Sequence, residues 1–284
     1  MALNKAKTYG ELVMFSHTLF SLPFALISML WAAQGFPSFD VFFWILIALL
    51  GARNGANALN RLIDKEIDGK NPRTADRHMP RGIVKNYEVI LLILFCFSIL
   101  VLAAFKLNSL CLRLLPIPIV LFLLYSYSKR FTWGCHILLG ISCGGAPVGA
   151  WMAVTGKIEW PALVLGAIVT LWVAGFDIIY ATQDVRFDRD FGLFSIPACF
   201  GIRHALLIST FLHCMVMVLL IYLYFLMNMG WLYLIGVSIA GGLLYMEHRM
   251  VSPSNLKTMK IASYSINQIL SIVLFIFTSA DIFI

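Results

Sequence analysis

The 284-residue chain predicts an all-α fold, a polytopic membrane bundle of nine transmembrane helices. Three observations predict it. The chain is 61% hydrophobic and only 12% charged, which is more apolar surface than a water-soluble domain of this length needs. Several uninterrupted apolar runs reach the ~20 residues that cross a bilayer as helix, and such solid runs argue against a barrel, whose strands alternate every second residue. Finally, 17 of the 21 Lys and Arg fall in the N-terminal tail or in alternate connections, the exceptions being Arg53, Lys106, Arg113 and Lys157. That alternation is the positive-inside pattern and predicts a cytoplasmic N-terminus. The net charge of +7 therefore reports topology and not nucleic-acid binding, and the basic loops suit an anionic substrate or anionic lipid headgroups.

Taken in order, the spans are expected at about 12–33, 41–60, 87–105, 108–127, 135–155, 161–182, 204–227, 231–247 and 261–282. The first contains His17 and Pro23 and lacks a small-residue cleavage motif, so it reads as a retained span. Outer connections such as Gln34–Asp40 and Asn228–Gly230 are short; the inner connections Arg61–Asn86 and Gln183–Arg203 are long and polar. Pro23, Pro116, Pro118 and Pro147 mark kinks, and Gly140, Gly144, Gly145 and Gly149 on the fifth span permit close helix approach. The six cysteines lack CxxC spacing and read as small buried hydrophobes. His136, His204, His213 and His248 have no partner at metal-ligand spacing.

Chemistry concentrates in two acidic segments. Arg53, Asn57, Asn60, Asp64 and Asp68 recur at helical spacing, which places all five on one face of the second span and its continuation. Asp184 and Asp188 close the sixth span in the same way, with Asp177 on their face. Four intervening spans return both acidic pairs to the same membrane side. The layout predicts two pseudo-equivalent four-helix halves with a ninth helix appended, in a single domain over 1–284.

A lone DxxxD at a helix end is more often interfacial solvation. Two such pairs in matching places, with Asn60 and Arg53 in phase, point instead to hard oxygen ligands for Mg²⁺ on a diphosphate. Lys129–Arg130, Arg73, Arg77, Arg186 and Arg189 supply the cations that a diphosphate leaving group requires. Arg53 lies inside its span, where an unpaired charge costs at least ~2.5 kcal/mol. It is expected to bind a substrate carboxylate or to orient the Asp cluster, the alternative being a snorkelling or structurally paired cation.

The run NRLIDKEIDGKNPRTADRHMPRG resembles the first signature of the UbiA superfamily of intramembrane prenyltransferases, NxxxDxxxD followed by RTxxRxxP. DIIYATQDVRFDRDFGLFSIP is similar to its second, DxxYAxxDxxxDxxxG, and YSYSKRFT to its Tyr…Lys-Arg motif. Arg53, seven residues before Asn60, matches an Arg the family keeps there, whereas Arg61 stands where an Asp often follows the Asn. The resemblance covers most of the chain and is nearest the 4-hydroxybenzoate polyprenyltransferase-like group of quinone biosynthesis. The NRLID…NPRTA form and the run His17–Ala25 also resemble the branch linked to futalosine-route menaquinone synthesis, which prenylates a different aromatic acid.

The resemblance implies a Mg²⁺-dependent transfer of a polyprenyl group from its diphosphate to a small aromatic acid. Asn60, Asp64, Asp68, Asp184 and Asp188 would hold the metal. Lys129, Arg130, Arg73 and Arg77 would neutralise the diphosphate, and Tyr125 or Tyr180 would hydrogen-bond it. Asp177 would accept or orient the ring proton, or else serve as a buried hydrogen-bond partner. Arg53, Asn57 and His17 are candidates to contact the acceptor, although a packing histidine explains His17 as readily. Closure of a long inner loop such as Arg61–Asn86 would exclude water. The expected setting is the bacterial cytoplasmic (inner) membrane, with the site on the cytoplasmic side, membrane lipid as surroundings and no obligate protein partner. The competing class is an ion-coupled transporter, whose charged groups would lie near the midplane on broken helices instead of at one surface.

Overall fold

A computed structural model describes residues 8–12, 18–252, 259 and 261–284, and the described residues are helical with almost no extended structure. In chain order the helices are α1 (Thr18–Ala33), α2 (Phe39–Ile63), α3 (Lys65–Lys70), α4 (Asn86–Leu107), α5 (Ser109–Leu114), α6 (Pro116–Ser128), α7 (Cys135–Thr155), α8 (Trp160–Ala181), α9 (Val185–Asp190), α10 (Ile196–Phe200), α11 (Ile202–Leu226), α12 (Trp231–Met250) and α13 (Asn267–Phe283). A π-helical stretch, Ile261–Ile266, leads into α13. Seven helical segments are long and apolar enough to cross a membrane. The remaining two expected spans are α1, of 16 described residues, and α12, which carries Glu247, His248 and Arg249 near its end and is not among the seven. The fourth span is split, with α6 restarting at Pro116, whose missing N–H cannot continue the ladder.

The chain forms two compact units, residues 1–18 with 38–127 and residues 19–37 with 128–284. The expected halves put the first span with the next three, but α1 belongs to the second unit. Its Phe20, Phe24, Ile27 and Trp31 form a stripe in one apolar cluster with Trp172, Phe176 and Tyr233, so aromatic matching overrides chain order. In the first unit, α2 packs on α4, and Ala58, Leu59, Val89, Ile93 and Phe122 share a core with Met79 and Val84.

Small residues set the closest approaches. A Cβ at Gly140 would run into the Thr170 carbonyl, and one at Gly144 into the Gly166 carbonyl and the Thr170 hydroxyl. Gly145 and Gly149 face open space, so only half of the expected glycine stripe mediates the α7–α8 contact. The cysteines also divide: Cys96, Cys135 and Cys143 are buried, whereas Cys199 and Cys214 are exposed.

The second unit also buries a polar network that no sequence pattern marks. Glu247 is 0% exposed and accepts a 2.9 Å bond from Asn267 Nδ2. Asn267 Oδ1 accepts from Trp172 Nε1, and His213 bridges His248 and the Trp172 carbonyl. These bonds tie α8, α11, α12 and α13 together and give one oxygen of the buried Glu247 carboxylate a donor.

Gly140→Leu is expected to destabilise the protein by about 1–3 kcal/mol through overpacking, whereas Gly145→Ala is expected to be near neutral. Thermal unfolding in detergent, followed by circular dichroism, checks the contrast.

Candidate active site

The first acidic segment begins where α2 ends. Asp64 sits at the junction with φ −91° and ψ 2°, and the six-residue α3 comes next. The expected single face survives the junction because Asp64 N donates to Asn60 O at 2.9 Å and Asp68 N to Asp64 O at 2.8 Å. Asp64 and Asp68 are only 4% and 5% exposed. Buried carboxylates need donors or cations, and both have them. Asn60 Nδ2 donates to Asp64 Oδ2 at 3.0 Å, and Arg77 Nη1 donates to Asp68 Oδ2 at 2.6 Å. Arg61 Nη1 stands 3.7 Å from the same Asp68 oxygen. The residue that departs from the expected pattern is thus a partly buried cation beside Asp68, with Asp64, Tyr125 and Arg77 in its electrostatic surroundings.

The connection after α3 is a packed cap and not an open loop. Thr74 Oγ1 donates to the Asp68 carbonyl at 2.9 Å, and Asn71 Oδ1 accepts from Arg73 N at 2.9 Å, an Asx turn. Successive backbone bonds run from Asn71 to Ile83, and Met79 and Val84 are buried beneath them. This folding delivers Arg77 to Asp68 from nine residues away. Arg73 is exposed, while Arg53, Asn57 and Tyr125 are partly buried. His17 lies outside the described residues.

The second acidic segment repeats this construction. α8 ends at Ala181, a 3₁₀ turn covers Thr182–Asp184, and the six-residue α9 carries Asp188. Asp184 occupies the junction at φ −101° and ψ 3°, nearly the backbone geometry of Asp64. Asp188 Oδ2 accepts from Ser195 Oγ at 2.8 Å. Asp177 Oδ2 lies 2.7 Å from His136 Nδ1, so that oxygen of the partly buried carboxylate has a hydrogen-bond partner. Lys129 and Arg130 are partly buried, and the Lys129 carbonyl accepts from Phe194 N at 2.7 Å. Tyr180 sets its ring edgewise on Tyr264. Of the remaining expected cations, Arg189 donates through Nε to the Ala198 carbonyl, and the Arg186 side chain is 98% exposed. Neither is held on an acidic residue of the site.

Three residues to which sequence reasoning assigned no role belong to these segments: Arg61, His136 and Ser195. Two carried a legible signal: Arg61 stands two helical turns before Asp68, and Ser followed by Ile-Pro is an N-cap pattern, with Ser195 Oγ accepting from Ala198 N. Among the described residues no group of three or more His, Cys, Asp or Glu is placed to hold a metal ion. The donor set nonetheless fits Mg²⁺, which takes one or two carboxylates and fills its shell with water and phosphate oxygens. Asp64 and Asp68 supply the carboxylates. The Asn60 amide nitrogen is committed to Asp64, which leaves its carbonyl as the atom to offer a cation.

The chain is similar to known proteins over most of its length. The UbiA prenyltransferase family profile matches residues 21–272. The 4-hydroxybenzoate octaprenyltransferase of Vibrio vulnificus is 30% identical over 252 residues, covering 87% of this chain and 88% of that protein. A UbiA homologue of Aeropyrum pernix K1, solved without ligand, superposes with a TM-score of 0.85 at 30% identity, covering 94% of this chain and 98% of that one. A UbiA homologue of Archaeoglobus fulgidus, solved bound to GPP and Mg²⁺, shares the fold with a TM-score of 0.75 at 17% identity, over 98% of this chain and 100% of that one. The chain is an integral membrane protein that belongs to the UbiA prenyltransferase family.

Proposed function

We propose that this prenyltransferase moves a polyprenyl group from polyprenyl diphosphate to 4-hydroxybenzoate, in a Mg²⁺-dependent step of quinone biosynthesis at the bacterial cytoplasmic membrane. The observation that carries the reading is the buried Asp64–Asp68 pair with Arg61 and Arg77 at Asp68, on a chain of this family. The name of the Vibrio relative, a 4-hydroxybenzoate octaprenyltransferase, supports the acceptor, and the GPP and Mg²⁺ of the Archaeoglobus homologue support the donor and the metal.

Asn60, Asp64 and Asp68 of the first segment, and Asp184 and Asp188 of the second, are the residues that would hold Mg²⁺. The metal supplies charge neutralisation on the diphosphate oxygens. Reaction breaks the bond between the prenyl C1 and the diphosphate oxygen, which keeps the electron pair. Lys129, Arg130, Arg73 and Arg77 stabilise that developing charge, with Tyr125 and Tyr180 as hydrogen-bond donors. Arg77 has five N–H donors, so its bond to Asp68 leaves others for phosphate. An electron-rich ring carbon attacks the allylic cation, a C–C bond forms, and Asp177 accepts or orients the departing ring proton. Arg53 and Asn57 contact the acceptor, the guanidinium pairing with its carboxylate. The packed cap over residues 71–84 keeps water from the cation.

The direct test uses purified protein in detergent with Mg²⁺, labelled polyprenyl diphosphate and 4-hydroxybenzoate. Prenylated acid and free diphosphate in equal amounts are expected. No product with 4-hydroxybenzoate or with any other aromatic acid would overturn the reading. Asp64→Ala, Asp68→Ala and Asp184→Ala are each expected to lower turnover by at least ~100-fold without unfolding the bundle; retained activity would refute the ligand assignment. Arg77→Lys keeps the charge but loses the planar fork. Its KM for the prenyl diphosphate is expected to rise about tenfold, from bonds worth ~1.5–3 kcal/mol.

A further inference from the structure

Three consecutive residues, Phe194, Ser195 and Ile196, tie the second acidic segment to its neighbours. Phe194 N donates to the Lys129 carbonyl at 2.7 Å, and the Phe194 carbonyl accepts from Cys135 Sγ at 3.6 Å. Ser195 Oγ donates to Asp188 Oδ2 at 2.8 Å, and Ile196 N donates to His136 Nε2 at 3.3 Å. The ring of His136, 2% exposed, then reaches Asp177 Oδ2 at 2.7 Å through Nδ1. One short strap thus touches the chain at a phosphate-binding candidate, a metal-ligand candidate and, through His136, the acid proposed to handle the ring proton.

The two contacts of His136 fix its chemistry. A backbone N–H can only donate, so Nε2 must be an unprotonated acceptor. Nδ1 therefore carries the proton and donates it to the Asp177 carboxylate. In that tautomer each nitrogen of the ring is committed to one partner. Such a ring orients a carboxylate in the way that a metal-bound or catalytic histidine is itself oriented by the group behind it. The ring is buried at the start of α7, closed to a large substrate, and among the described residues it joins no group of three or more His, Cys, Asp or Glu placed to hold a metal.

We propose that His136 is a positioning residue: its Nδ1–H sets the Asp177 carboxylate, while its Nε2 anchors the 194–196 strap that holds Asp188 and the Lys129 backbone. The proposal rests on the prenyl-transfer reading. It gives His136 the coupling between proton removal and diphosphate binding within the second unit.

The test compares His136→Leu, His136→Gln and wild type in the full-length protein. Gln offers one amide donor and one acceptor and so can serve both partners, whereas Leu serves neither. His136→Leu is expected to lower kcat by about 10–100-fold, the range for loss of a residue that orients a functional group, while KM for the prenyl diphosphate changes less. His136→Gln is expected to restore most of kcat. Hydrogen–deuterium exchange gives a readout independent of turnover: peptides spanning 194–198 should exchange faster in the Leu variant and stay protected in the Gln variant. Ser195→Thr, which keeps the hydroxyl, should remain close to wild type, and Ser195→Ala should need more Mg²⁺. Equal activity of wild type and His136→Leu would overturn the proposal. So would a Gln variant as impaired as Leu in both readouts. An inactive wild type would instead overturn the underlying reading, and protection at 194–198 would still report on the strap.

Discussion

A carboxylate removed from water must find a cation or a hydrogen-bond donor, or it does not stay ionised. Both acidic segments are arranged around that constraint. Asp68 is met by Arg77 and Arg61, Asp64 by the Asn60 amide, Asp188 by Ser195 and Asp177 by His136. The charges Asp64, Asp68, Arg61 and Arg77 balance in the first segment. That balance lets two carboxylates lie almost fully buried at the end of a membrane helix. A dication bound with a diphosphate brings charge of both signs, so the segment can take them together without stranding a buried charge.

The two segments solve the problem with the same backbone device. A long helix stops, an Asp with φ near −90° to −100° and ψ near 0° marks the junction, and a six-residue helix carries the second Asp. This geometry keeps the two acids of each segment about one turn apart. The covers over the two devices differ. The first segment is closed by stacked turns that bring Arg77 back to Asp68, and the second by a strap that brings Ser195 to Asp188. The repeat is thus in the acidic device and not in its cover. Nor does it extend to helix partnership, since α1 packs with the second unit.

Much of this was legible in the sequence, and the limits have physical reasons. Span positions were readable because a bilayer demands long apolar runs: α7 runs Cys135–Thr155, as the apolar pattern indicated. The acidic pairs were readable because i to i+4 spacing survives a junction that preserves the hydrogen-bond ladder. Tertiary pairing was not readable. Arg61 stands seven residues before Asp68, two turns along one helical face, so its pairing was within reach of the spacing, but nothing local to His136 says that an aspartate 41 residues away will meet its ring. Glu247 stands beside His248 and Arg249 near the end of α12, and the packing of α13 brings Asn267 to it. Likewise, Gly145 and Gly149 look like Gly140 and Gly144 in sequence and differ only in what lies opposite.

The proposed reaction stands or falls on whether the buried acids bind a prenyl diphosphate through a divalent metal. That can be measured as binding of a non-hydrolysable prenyl thiolodiphosphate to the purified protein, titrated with and without Mg²⁺, in wild type and in Asp68→Asn. Saturable binding that requires Mg²⁺, and is lost in Asp68→Asn while the fold is retained, is the predicted result. Equally tight binding without metal, or in the Asn variant, would contradict it.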